Sequence, residues 1–290
     1  MGMIFVILAS ALFGSYPTIQ GAVMESGASP LGMVIVCNSV AGISSLIVGL
    51  MKRENFKIPL KTLGALALTG VFGLYLTDYL LNVSYTLIPV GFTTMIHFFY
   101  PALVTMLMVI LFRERFTWYK LAAIIVSILG LLLLSGGDFT GNKLGILTAL
   151  MTAFAYAFYM ITNDKTQVGT VPLMARSFYM NVFVVIAAFC TNGISHTAIY
   201  PTGAINISLS ILVGVLLCIA TVLLNAGIAR LGAAKTSFIN MLEPVISLVV
   251  STLVFHYALT KTSIAGVCLI LLSLVLITAV PMITERANKT

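Results

Sequence analysis

Apolar residues run along this 290-residue chain in blocks long enough to cross a bilayer, separated by short polar or glycine/proline breaks. A helix needs roughly 20 predominantly apolar residues to span the hydrocarbon core. On that measure the pattern predicts ten helices, at about 3–22, 31–51, 62–82, 88–111, 117–135, 144–163, 174–192, 207–225, 232–255 and 261–282. Turn-forming residues mark the breaks: Ser29-Pro30, Lys52-Arg53-Glu54, Gly136-Gly137-Asp138, 169–172 and Tyr200-Pro201-Thr202-Gly203. The connections are short, which leaves no room for a soluble domain between spans. The first run lacks a basic leader, and its repeat partner is internal, so it is expected to be a retained span rather than a signal peptide.

The chain also repeats itself. A shift of 143 positions carries Pro101 onto Pro244 and, with no gap, pairs Gly2 with Gly145, Tyr16 with Tyr159, Asn38 with Asn181, Asn82 with Asn225, Thr93 with Thr236 and Leu129 with Leu272. Residues 1–143 are therefore expected to form one five-helix repeat and 144–290 the second, together making one membrane domain. With the N-terminus inside, thirteen of the fifteen lysines and arginines face the cytoplasm, and only Lys143 and Lys261 face out. Both termini are thus expected in the cytoplasm of a multi-pass plasma (inner) membrane protein. Because five spans is an odd number, the second copy enters the membrane from the opposite side. The expected fold class is an all-α integral membrane protein, ten transmembrane helices arranged as two inverted five-helix repeats. That arrangement offers two nearly equivalent packings, one open to each side, which is the basis of alternating access.

Composition narrows the class. Hydrophobic residues make up 60%, charged residues 8%, and the mean hydropathy is +1.12, far from a soluble domain. The net charge of +7 is spread between apolar runs, which suits an anionic leaflet rather than a nucleic-acid face. Cys37, Cys190, Cys218 and Cys268 lie inside apolar runs without a CxxC pair or a His/Cys cluster, so they read as packing residues; no metal and no cofactor is expected.

Polar groups inside a span must pair or face a wet cavity. Of eight acidic residues, only Asp78 and Glu243 fall well inside spans, Glu243 at mid-span and Asp78 about one turn from the end of the third. Thr236, Asn240, Glu243, Ser247 and Ser251 recur at helical steps along one face of the ninth span. Its repeat partner, the fourth, carries Thr93, His97, Tyr100 and Thr105 on a similar face. Under the shift, His97 meets Asn240 and Tyr100 meets Glu243, each just before a proline that frees a carbonyl one turn earlier and favours a kink. His97 titrates in the physiological range and is a candidate for proton coupling, against the alternative of a neutral ring bonded to a neighbour. Tyr75, Asp78, Tyr79 and Asn82 share a face of the third span; Thr152, Tyr156, Tyr159 and Asn163 share one of the sixth; Tyr16 and Gln20 echo it in the first; Asn38 and Asn181 match in the second and seventh. The candidate cavity-lining set is Glu243, Asn240, His97, Tyr100, Tyr79, Asp78, Tyr156, Tyr159, Asn38 and Asn181. Tyrosine lining would suit an organic solute, with cation–π attraction available to an amine.

Ten spans in two five-span halves with short loops resemble the EamA family of the drug/metabolite transporter superfamily, and Leu242-Glu243-Pro244-Val245 is similar to that family's recurring Leu-Glu-Pro-Val segment. The first half departs from it, reading Phe99-Tyr100-Pro101-Ala102, and the family's frequent Gly-Glu after this span is replaced by Arg113-Glu114 and His256-Tyr257. The resemblance implies a secondary transporter of small organic metabolites, an exporter of amino acids or related compounds through a central cavity, with a small-molecule substrate, the lipid bilayer and protons as partners. An importer or facilitator remains the alternative within transport. No Walker A segment is present, HExxH is absent, and no second intramembrane aspartate or Ser/His pair accompanies Asp78. ATP-driven transport and intramembrane hydrolysis are therefore disfavoured, and a non-transporting scaffold would leave the inversion unexplained.

Overall fold

In the structure, a computed structural model, residues 1–135, 142–255 and 260–287 are described, without the side chains of 90, 251, 254–255 and 281–287. The expected break at Gly136-Gly137-Asp138, the pair His256-Tyr257 and Lys289 fall outside the described residues, as do the side chains of Ser251 and Arg286. Helices α1 (Gly2–Glu25) and α2 (Pro30–Met51) form the first two spans. The third joins α3 (Leu60–Leu68), a π-helical segment (Thr69–Tyr75) and α4 (Leu76–Leu87). The fourth joins α5 (Val90–His97) and α6 (Tyr100–Phe112), and the fifth is α7 (Trp118–Leu134). The second half repeats the order with α8 (Lys143–Lys165), α9 (Leu173–Ser195), α10 (Ala204–Leu231), α11 (Ala233–Asn240) followed by α12 (Leu242–Phe255), and α13 (Lys261–Ala287). Among the described residues nine helical stretches are long and apolar enough to cross a membrane, and Trp118–Leu134 is a shorter apolar helix, completing ten.

Packing reveals the symmetry. Span 1 lies against spans 8 and 9, and span 6 lies in the same way against spans 3 and 4, while spans 2 and 7, and spans 5 and 10, pack on their own copies. That reciprocal set is what a two-fold axis in the membrane plane produces. At the span 5–span 10 crossing, a Cβ on Gly130 would lie 2.9 Å from Gly266 O, and one on Gly266 would lie 2.7 Å from Gly130 O. Only glycine lets the two backbones approach that closely. Apolar side chains such as Ile43, Ile47, Leu129 and Val275 remain exposed on the outside of the bundle, the surface a lipid tail would cover.

Local chemistry explains the element ends. Ser29 caps α2 by accepting from Gly32 N at 3.1 Å, with Pro30 preset in the first turn. Asn142 caps α8 through Leu144 N at 2.9 Å. Spans 8 and 9 are linked through Gly232 at φ +78°, a left-handed turn that glycine makes without steric cost. The equivalent link between spans 3 and 4 is Pro89. Both proline positions break their spans as expected: α5 gives way to α6 at 98–99, and α11 to α12 at Met241. Pro101 and Pro244 cannot donate to the carbonyls of His97 and Asn240, so the broken backbone lies at the depth of the polar side chains.

Two sequence expectations are corrected. The apolar run thins near 82, but α4 continues to Leu87, so Asp78 lies about two and a half turns from the end, beyond the reach of snorkelling. The four residues assigned to one face also separate into two neighbouring pairs. Tyr75 and Tyr79 stack with centroids 5.6 Å apart, whereas Asp78 and Asn82 point into a cavity.

Candidate functional site

A cavity of about 480 Å³ enters the bundle from the end of the molecule carrying Glu25 and Thr86 and reaches mid-span at Glu243. Its walls come from α1, α2, α4, α5, α10 and α12. Of the ten candidate residues, Asn38, Asp78, His97 and Glu243 line it. Asp78 faces the amide of Asn38, whose Nδ2 donates to Val34 O at 2.9 Å. His97 is held by a 2.9 Å bond between its Nδ1 and Thr152 Oγ1.

Three more candidates form the floor. Asn240 receives Ser10 Oγ at 3.0 Å and donates to Tyr100 OH and Glu243 Oε2, each at 3.1 Å. Tyr100 is fully buried and meets Tyr156 edge-on with centroids 4.7 Å apart. His97 packs on both rings, at 5.5 and 5.4 Å. The predicted polar stripes of spans 4 and 9 therefore converge, and the tyrosines below them separate cavity from the far side.

Tyr159, Asn181 and Tyr79 are placed elsewhere. Tyr159 stacks on Tyr156 at 5.5 Å and donates to Asn225 Oδ1 at 2.7 Å, beneath the floor. Asn181 bonds Ser177 O at 2.8 Å between spans 2 and 7. Tyr79 stacks on Tyr75, whose hydroxyl bonds Thr191 Oγ1 at 2.5 Å, between spans 3 and 7. Below Tyr159 the bundle is closed. Arg176, almost wholly buried, donates to Asn163 Oδ1 at 3.1 Å, and Asp164 caps α11 through Ala233 N at 3.0 Å. Glu54 accepts from Met174 N and Ala175 N at 2.9 and 3.1 Å. Lys165 bridges Glu114 and Asp164, each at 3.4 Å. Two buried donors in this closed region, Arg176 Nε and Asn225 Nδ2, have no protein partner.

Further lining residues include Tyr16, Gln20 and Asn82, as well as Tyr85 and Thr94, which face each other. The 143-residue match marks Tyr16 and Asn82. Tyr85 carries no such signal, because it lies past the point where the apolar pattern ends the third span. Among the described residues no group of three or more His, Cys, Asp or Glu is arranged to hold a metal.

Comparison with known proteins places this architecture. The EamA-like transporter family matches residues 1–136 and again residues 143–279. The chain belongs to the EamA-like transporter family. The two EamA matches fall one on each five-span half. Among relatives, YvbV, an uncharacterized transporter of Bacillus subtilis, is 29% identical over 82% of this chain and 81% of its own length. YicL, an uncharacterized inner membrane transporter of Salmonella typhimurium, is 25% identical over 95% of this chain and 94% of its own. A protein of Chlamydia muridarum named as an S-adenosylmethionine/S-adenosylhomocysteine transporter is 25% identical over 67% of this chain and 64% of its own. A solved crystal structure superposes with a TM-score of 0.80 over 96% of this chain and 97% of that one; at 15% identity it shows a shared fold.

Proposed function

We propose that this EamA protein is a secondary transporter that exports amino acids or related metabolites across a bacterial plasma membrane by alternating access. The observation that carries this reading is a mainly apolar cavity bearing two carboxyls, open at the Glu25 and Thr86 end and lying over a packed interior. The positive residues support a cytoplasmic location for both termini, which makes the Glu25 end external and the described state outward-open. Residues 1–143 and 144–290 act as the two exchanging halves. The relative named for S-adenosylmethionine carries an amino-acid derivative, which supports that solute class.

Alternation follows from the repeat. The closed pair Tyr159–Asn225 is the image, 143 residues on, of Tyr16 and Asn82 in the cavity wall. In the inward-open state Tyr16 donates to Asn82, and Tyr159 releases Asn225. Glu243 at the cavity floor carries the coupling proton, and Asn240, Tyr100 and Tyr156 form the barrier below it. Breaking the inner contacts opens the unpartnered donors of Arg176 and Asn225 to solvent, which offsets part of that loss.

Reconstitution in vesicles tests the reading: imposed gradients of amino acids and related metabolites should give saturable counterflow. Glu243→Gln should abolish proton-driven uptake while leaving expression and folding intact. Absence of flux across the panel would refute transport; unchanged proton-driven flux in the variant would make Glu243 a structural group.

A further inference from the structure

We infer that the solute is recognised as a small organic cation, an amine on an apolar or aromatic body, held between Asp78 and Glu243. This inference rests on the transporter reading above and departs from it in solute class: among amino acids and related metabolites it favours amines over the zwitterionic amino acids. The two carboxyls enter one cavity from opposite halves of the chain, span 3 and span 9. Among the described residues neither meets a lysine or arginine: the three ion pairs involve Glu114 and Asp164 with Lys120 and Lys165, at the closed end. No lysine or arginine lines the cavity.

A carboxylate away from bulk water and without a cationic partner is costly even when an amide donates to it, so it takes up a proton or holds a cation. Here the cation must come with the solute. The repeat sharpens the point: the guanidinium of Arg176 in the closed half falls, under the 143 shift, on Met33, which lines the open cavity. The open side thus carries a methionine where the closed side has its buried guanidinium, while one carboxyl from each half of the chain faces the cavity. A zwitterion would bring a carboxylate into this site with no cationic side chain to receive it. An ammonium meets two carboxyls and the rings of Phe13, Tyr16, Tyr85 and Phe98, and aromatic rings attract cations through their quadrupoles. The cavity, about 480 Å³, lies within the range of small-molecule sites.

Four probes of matched body isolate the charge: phenethylamine, permanently charged trimethylphenylammonium, zwitterionic phenylalanine and anionic 3-phenylpropionate. Calorimetric titration of the purified full-length protein in lipid nanodiscs should give both cations at least tenfold tighter binding than phenylalanine, and no binding of the anion. Asp78→Asn and Glu243→Gln, each checked for an unchanged melting temperature, should weaken both cations at least tenfold. A variant that fails to fold is replaced by Asp78→Glu, which should retain cation preference with altered affinity. Phenylalanine binding as tightly as the cations, binding by neither cation, or unaltered cation binding in both neutral variants would overturn the inference. Counterflow in vesicles separates the two levels. Flux of phenylalanine without the amines leaves a transporter and removes the cation site; cation binding without flux of any solute leaves the site and removes the transporter.

Discussion

Tyr16 and Asn82 stand in the wall of an open cavity, while Tyr159 and Asn225, 143 residues further on, are joined at 2.7 Å in a packed interior. The same residue types at the same repeat positions thus occupy two arrangements in one molecule. Asn82 Nδ2 donates instead to Asp78 O at 2.7 Å, a local bond that can be kept or exchanged without unfolding a helix. Under the proposed alternation the closed end displays what the open end becomes, so the difference between the ends would be one of state more than of sequence.

Removing one hydroxyl at each end breaks the comparison most strongly. Tyr159→Phe leaves buried Asn225 without its partner in the described state, and Tyr16→Phe does the same to Asn82 in the alternate one. An unsatisfied buried polar group costs about 1–3 kcal/mol, a shift of roughly 5- to 150-fold in the balance of states. The two shifts have opposite sign. With the native cysteines replaced, a cysteine introduced at Thr94 in the cavity should lose reactivity toward an impermeant maleimide in Tyr159→Phe, keep it in Tyr16→Phe, and return towards the parent value in the double variant. Equal effects in the two single variants would end the symmetry argument.

A smaller test uses a place where the halves differ in one methyl. A Cβ on Gly14 would sit 2.6 Å from Glu243 O, whereas its repeat partner is Ala157. Gly14→Ala should force span 9 away and cost about 1–2 kcal/mol, within the overpacking range, lowering both the melting temperature and flux. Ala157→Gly should cost about 1 kcal/mol or less through helix propensity alone. Comparable loss of flux in both would show that the span 1–span 9 contact has no special role.

The spans and the duplication were legible because a bilayer imposes length and hydropathy on the sequence, and because a shift of 143 needs no gap. Convergence of Glu243, Asn240, His97 and Tyr100 was legible for the same reason: a polar stripe on an apolar helix must find company. What the sequence could not convey is which side is open. Tyr156 and Tyr159 are adjacent on one helix face, yet one forms the floor and the other lies sealed below it. The π segment was also hidden, since its seven residues are as apolar as any α-helical stretch. It has no counterpart in α10, which is α-helical throughout.

The smallest expected effect concerns His97, which stands opposite Asn240 in the repeat. His97→Gln keeps a hydrogen-bonding group near Thr152, so the change in stability should stay within about 1 kcal/mol and the pH profile of transport should be unaltered. A displaced profile would give the ring a share of the coupling proposed for Glu243 alone.

Alternating access requires the two ends to exchange arrangements. Pulsed electron resonance with spin labels at Ser26 and Thr86 across the open end, and separately at Gln167 and Ala229 across the closed end, reads both at once. On adding a transported solute, or on going from Tyr16→Phe to Tyr159→Phe, the first distance should shorten as the second lengthens. Distances that move together, or an open end that never closes, would contradict it.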